Sequence, residues 1–338
     1  MRKNYLVNKV VCAALLGAAL MGLTACGTGS ATETVDLGEV QEEAADGADT
    51  EEVTDEKEAV DTEEVTDSKE AADTKEAAET EGAAAEEVKL EIGETVDKGL
   101  WTQTTVYPDN IDDTFVIDVM LPDDYDETIS YPVVYLTDCY WRRENYGEIK
   151  DLYESGKTKE FILIGIGYPD DYDFDVIRMR DLVEEPDKFL NLIITGVLPY
   201  AEGNYNIDAS DRTFCGASNG GYFMLYSLFR SGDITQDVFK NYVLASAVLT
   251  NESNGKGIKD FETKYFENHD DLKANVYMTV GADEEVPYMI RPNERFVKRM
   301  QERNCPSLNL VYESYEGKEH YTVWVPSLLT GLEMYLAK

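Results

Sequence analysis

The chain has 338 residues, a formal net charge of −38, five cysteines and two histidines. A chain this acidic does not suit nucleic acid, whose phosphates require a basic face, nor close adhesion to anionic lipid. The length allows one large or two ordinary domains, but the residue types are distributed unevenly along it.

Residues 1–26 read as a secretory leader. Arg2, Lys3 and Lys9 form a basic start, and Val10 to Leu23 is an apolar run too short for an ordinary membrane span. The run ends at Leu23-Thr24-Ala25-Cys26, which resembles the bacterial lipobox. That resemblance implies a lipidated Cys26 as first mature residue, a membrane anchor at that residue and a cell-surface location.

Residues 27–90 carry 23 acidic and four basic side chains and no aromatic ring. A twelve-residue unit, EEVTDEKEAVDT at 51–62, returns as EEVTDSKEAADT at 63–74. Such a segment cannot bury enough apolar surface to offset its ordering entropy, and like charges extend it. It is expected to be a disordered acidic linker ahead of one domain at 91–338, whose net charge is −22.

In that domain Thr102–Val106 and Thr114–Met120 alternate as an antiparallel pair at a sheet edge. Pro132–Leu136 and Phe161–Gly167 read as buried strands. Asp187–Tyr200 reads as a helix, Tyr242–Leu249 and Val276–Val280 as strands, Leu308–Glu313 as the last strand, and Pro326–Leu336 as a closing helix. Apolar strands alternating with helices imply a mostly parallel sheet covered on both faces. Sites in such sheets form at the carboxyl ends of the strands.

Between Arg212–Cys215, a short strand, and Tyr222–Arg230, a helical run, lies Gly216-Ala217-Ser218-Asn219-Gly220-Gly221. Strand, G-x-S-x-G, helix is the pattern of a nucleophile elbow. Small residues are required where the two backbones nearly touch, and the helix N-terminus aims N–H groups at an oxyanion formed beside the serine. A serine hydroxyl needs a base and an orienting acid. His320 follows the last strand directly, where this topology puts its base; His269 is the alternative. The turn Gly281-Ala282-Asp283-Glu284 follows a strand and presents Glu284 as the acid, with Asp283 the alternative. The order Ser218, Glu284, His320 is that expected of an α/β-hydrolase. The Asn219 N–H would supply one oxyanion donor, and Cys139 or Tyr140 the second. Cys139 and Cys215 read as buried free thiols.

The chain resembles the esterase branch of the α/β-hydrolases. That branch includes enterochelin esterases, S-formylglutathione hydrolases, and feruloyl and acetyl xylan esterases. The resemblance lies in Tyr131–Asp138, Ile164–Pro169, Arg178–Leu182, Arg212–Gly221, Val280–Glu284 and Gly317–His320, and covers about residues 100–336. The chain departs from the family at Cys139, where many relatives have Gly, at Ala217 before the serine, and at Ala245-Ser246-Ala247, where relatives often show Ser-Pro-Ser. The resemblance implies serine ester hydrolysis, possible on acylated polysaccharide or siderophore esters, with no metal or organic cofactor. No Cys/His cluster has ligand spacing. Arg178 and Arg180 fall in a stretch that resembles the family's pocket-lining loop, where they would receive an anionic or polyhydroxylated substrate; alternatively Arg180 pairs with Asp181. Tyr140 and Trp141 would form an aromatic wall or pack in the core, and the loop 249–275 would cover the pocket. The reading of a different class is a surface ligand-binding lipoprotein on a lapsed hydrolase fold.

Overall fold

Runs of Val, Ile, Leu and Tyr that are apolar on both sides form strands between two helical layers. The structure is a computed structural model that describes residues 4–7, 87–170, 172–230 and 238–338. Cys26 and the acidic repeats lie outside the described residues, as does the leader apart from residues 4–7. The strands are β1 (Asn4–Val7), β2 (Leu90–Asp97), β3 (Thr102–Pro108), β4 (Phe115–Met120), β5 (Tyr131–Thr137), β6 (Ile162–Gly167), β7 (Ile207–Ala217), β8 (Asn241–Ala245), β9 (Ala274–Gly281) and β10 (Leu308–Tyr315). They form one sheet in the order β1-β10-β9-β8-β7-β5-β6-β4-β3-β2. The six strands from β10 to β6 run parallel, and β4, β3 and β2 extend the sheet antiparallel, as does β1 at the other edge.

The helices are α1 (Cys139–Arg142), α2 (Tyr146–Glu154), α3 (Phe174–Met179), α4 (Pro186–Asn191), α5 (Leu198–Asn204), α6 (Asn219–Arg230), α7 (Ile258–Asn268), α8 (Arg291–Arg303) and α9 (Trp324–Tyr335). Alternation along β5 serves both layers. Val133 and Tyr135 join the core under α4, α6 and α8, whereas Val134 and Leu136 join the core under α2 and α9. The α/β-hydrolase architecture with a mostly parallel sheet covered on both faces is therefore the observed one.

Four expected spans differ. The antiparallel pair β3–β4 is not the edge, because β2 lies outside it, and the fold begins by Val88, whose N–H donates to Thr195 Oγ1. The helix expected over 187–200 is α4, a π-helical turn at Leu192–Val197, and α5. Pro199 offers no N–H to the preceding turn, and the wider turn accommodates it. The strand expected over 242–249 stops at Ala245, because Ser246 takes φ 48° and leaves the extended region. The stretch 249–275, expected as a loop, contains α7, which packs against α6.

Candidate active site

The carboxyl ends of β7, β8, β9 and β10 lie side by side, and the loops that leave them carry the polar residues of the site. β7 ends at Ala217, and Ser218 turns the chain into α6 with φ 59°. A left-handed non-glycine residue costs on the order of 1–3 kcal/mol, so surrounding contacts must hold it. The Ser218 N–H donates to the Ala245 carbonyl of β8, and the Ser218 carbonyl accepts from Tyr222 and Val248. A methyl group on Gly216 would lie 2.7 Å from the Gly220 backbone, and one on Gly221 would lie 2.9 Å from Ala247. Strand and helix therefore meet at van der Waals limits, and only hydrogen fits at these positions.

His320 Nε2 lies 3.0 Å from Ser218 Oγ, and His320 Nδ1 lies 3.1 Å from Glu284 Oε2. The histidine comes from the loop after β10 and the glutamate from the turn after β9. The two loops interlock at Gly281, where a methyl group would lie 2.2 Å from the Lys318 carbonyl oxygen. Asp283, the alternative acid, is exposed, and its N–H donates to that same Lys318 carbonyl. His269, the alternative base, stacks on Tyr265 at 4.2 Å, with Nδ1 2.8 Å from the Tyr265 carbonyl at the end of α7.

The Glu284 side chain is 1% exposed, and its other oxygen accepts hydrogen bonds from the Ser246 hydroxyl and from the Gly281 N–H at 2.6 Å. Burial opposes its charge. The hydrogen bonds from His320, Ser246 and Gly281 outweigh burial and hold the carboxyl below the usual carboxylate range. In the sequence Ser246 falls inside the strand expected over 242–249 and stands out only in Ala245-Ser246-Ala247, a departure from the family. Nothing in the sequence linked it to a carboxylate 38 positions away.

Asn219 opens α6, so its N–H has no intrahelical carbonyl to reach. Its side chain is held by Met179 Sδ at 3.6 Å and by Asn251 at 3.0 Å. That contact brings the start of the 249–275 stretch beside the elbow. Across from it, β5 is followed by Asp138 at φ 61°, and α1 opens with the N–H groups of Cys139 and Tyr140. Cys139 is fully buried, and burial with the adjacent Asp118 pushes its thiol well above the usual range. Cys215 and Cys305 are also buried thiols outside any disulfide.

Tyr140 and Trp141 are each 37% exposed and pack on Phe174, at 4.3 and 5.4 Å between ring centroids. They form an aromatic wall beside α1, with Phe174 a member that the sequence did not single out. Arg178 and Arg180 are engaged by carboxylates. Arg180 binds Asp181 at 2.7 Å, the local pairing that the sequence allowed, and Asp113 at 2.8 Å. Arg178 binds Asp138 through two nitrogens, at 2.7 and 2.8 Å. A guanidinium held bidentate by a buried carboxylate is largely neutralised as a receptor for anions, so the expected substrate-receiving role of both arginines is not what their partners indicate.

A family model described as "Putative esterase" matches residues 109–335. No curated protein matches the sequence. Among solved structures, the chain is similar to the BES protein from Bacillus cereus, with 22% identity and a TM-score of 0.61, covering 73% of this chain and 98% of that one. It is also similar to the siderophore hydrolase EstA from Aspergillus nidulans, with 19% identity, a TM-score of 0.52 and coverage of 74% and 94%. A ferulic acid esterase from Anaeromyces mucronatus, solved with ferulic acid, gives 16% identity, a TM-score of 0.54 and coverage of 73% and 98%. At these identities the likeness establishes the shared fold.

Proposed function

The chain belongs to the Putative esterase family and is a carboxylic ester hydrolase, and we propose that it is a serine esterase working through Ser218, His320 and Glu284. The observation that carries this reading is the hydrogen-bonded line from Ser218 Oγ through the two His320 nitrogens to Glu284, with the serine lifted into a left-handed turn. In the proposed cycle Ser218 Oγ attacks the ester carbonyl carbon while His320 Nε2 takes the hydroxyl proton. Glu284 holds Nδ1–H and stabilises the imidazolium. The tetrahedral oxyanion lies against the Asn219 N–H and one of the N–H groups that open α1. Collapse expels the alkoxide, which receives the proton from His320 and leaves an acyl-serine. Water then attacks that ester with His320 again as base.

For the substrate, the aromatic wall of Tyr140, Trp141 and Phe174 favours an ester with an aryl group near the scissile bond. Feruloylated polysaccharide and catechol-bearing siderophore esters both meet that description. The likeness to a ferulic acid esterase solved with ferulic acid is in keeping with it. The leader-like start and the lipobox-like Leu23-Thr24-Ala25-Cys26 support a cell-surface location with a tether through Cys26.

Turnover of p-nitrophenyl acetate by the full chain tests the assignment. Ser218→Ala is expected to lower kcat by at least about 10³-fold, and His269→Ala to leave it unchanged. Undiminished turnover by Ser218→Ala would remove the serine from the mechanism. Absence of turnover together with absence of labelling by a fluorophosphonate would instead favour a ligand-binding lipoprotein.

A further inference from the structure

The candidate oxyanion donors come from two strands that end side by side. Asn219 follows β7, whereas Cys139 and Tyr140 follow β5, and β5 and β7 are neighbours in the sheet. Each strand passes into its helix through one left-handed non-glycine residue, Asp138 at φ 61° and Ser218 at φ 59°. The left-handed region is uncommon for a non-glycine residue, although aspartate enters it more readily than serine. Something outside each turn must therefore hold both, and must also hold them at one separation, because donor geometry matters at the scale of tenths of an ångström.

Arg178 touches both turns. Its Nε and Nη2 bind the two oxygens of Asp138 at 2.7 and 2.8 Å, and Nη2 also donates to the Ala217 carbonyl at 3.1 Å. Asp138 directly precedes Cys139, and Ala217 directly precedes Ser218. The guanidinium lies as well over the Trp141 ring, 5.4 Å from its centroid. It thus contacts the residue before and the residue after the Cys139-Tyr140 pair, and the peptide that leads into the nucleophile. The Arg178 side chain is 13% exposed and that of Asp138 1%, so the pair is shielded from the solvent that weakens surface ion pairs. A planar fork fits this task, since one group must satisfy a carboxylate side-on and a carbonyl at its edge.

We propose that Arg178 is a positioning residue that locks the two halves of the oxyanion hole to each other, acting through Asp138 and the Ala217 carbonyl and not through contact with substrate. This rests on the serine-esterase reading above. Loss of the lock leaves the triad in place but lets the two N–H groups drift apart, so it weakens binding of the tetrahedral species more than binding of the ester.

The test compares the full chain with Arg178→Gln, Arg178→Lys and Asp138→Asn on p-nitrophenyl acetate and on a p-nitrophenyl succinate that carries a free carboxylate. A trifluoromethyl ketone, which forms a tetrahedral adduct, serves as inhibitor. For Arg178→Gln and Asp138→Asn we expect kcat to fall on the order of 100-fold on both esters, with KM within about threefold, and inhibitor affinity to fall in parallel with kcat. A rise in KM confined to the carboxylate-bearing ester would make Arg178 a substrate receptor and overturn the proposal. Undiminished kcat in a folded variant with a lowered Tm would make it a stability residue only and also overturn it. Should Arg178→Gln fail to fold, Arg178→Lys decides. Lysine keeps the charge but not the fork, so a folded lysine variant with full kcat overturns the proposal and a reduced kcat supports it. Ser218→Ala run alongside keeps the two claims apart, because activity surviving in that variant refutes the triad and not the lock.

Discussion

Ser218 and Ser246 end neighbouring parallel strands, both at positive φ, and the two hydroxyls meet opposite ends of one hydrogen-bonded line. Ser218 faces His320 Nε2, and Ser246 donates to Glu284. The second bond bears on the charge of the acid. The Glu284 carboxyl is held below its ordinary value of 4.5 against the opposing effect of burial. A depressed carboxyl contributes stability above its unfolded pKa, and that contribution is lost as pH falls through the lower folded pKa. Ser246→Ala removes one of the bonds that lower it, so the folded pKa moves up and protonation begins at a higher pH. A hydrogen bond to a charged group contributes about 1.5–3 kcal/mol. We therefore expect Ser246→Ala to lower kcat by roughly tenfold at neutral pH and to shift the acid limb of kcat/KM to higher pH. A pH–rate profile that superimposes on that of the unsubstituted enzyme would disprove this. At this scale the sequence made Ser218, Glu284 and His320 legible because the topology fixes their order and each follows a strand. It left Ser246 and the Arg178–Asp138 pair unread because they meet only through the packing of separate strands.

The helices that cover the elbow side of the sheet are joined by one buried carboxylate. Glu262 on α7 is 1% exposed and accepts from Arg299 at 2.7 Å and Arg303 at 2.8 Å, both on α8. Arg303 also lies over the Phe266 ring at 4.1 Å. Glu262→Gln keeps the shape but leaves two guanidinium groups facing a neutral amide. The arginines are close to one-third exposed, and water compensates part of the loss. The expected cost is about 2 kcal/mol, or a fall in Tm of about 4–8 °C, with kcat at 25 °C unaltered because neither helix carries a residue of the proposed triad. A calorimetric scan beside an activity assay checks both halves. Strands such as β5 and β6 were legible because their apolar residues are nearly continuous. β2 was not, because Glu91, Glu94 and Asp97 on an exposed edge continue the composition of the acidic stretch before it. The stretch 249–275 read as a loop because polar and glycine residues open it, although Ile258, Phe261, Tyr265 and Phe266 inside it recur at helical spacing and pack on the core.

Across the whole chain, the proposed lipid anchor and the enzyme are separated by the acidic residues 27–90. As the expected linker, these residues would reach up to roughly 200 Å. The domain itself carries a net charge of −22 and is repelled by an anionic membrane surface. Under the proposed anchoring, the acidic stretch and the charge of the domain would both disfavour contact with an anionic membrane surface. Cleavage ahead of Cys26 would also take β1 away and leave β10 as the edge of the sheet. Every residue placed in the catalytic site lies at or beyond Asp138, so anchoring and chemistry are predicted to separate cleanly. Cys26→Ser is expected to move the enzyme from the membrane fraction to the soluble fraction, with kcat/KM on p-nitrophenyl acetate within about twofold of the anchored form. Fractionation with an activity assay on each fraction measures both. Retention of the variant on membranes at the original level would mean that Cys26 is not the anchor. A collapse of kcat/KM in the released enzyme would mean that the anchor contributes to the fold of the catalytic domain.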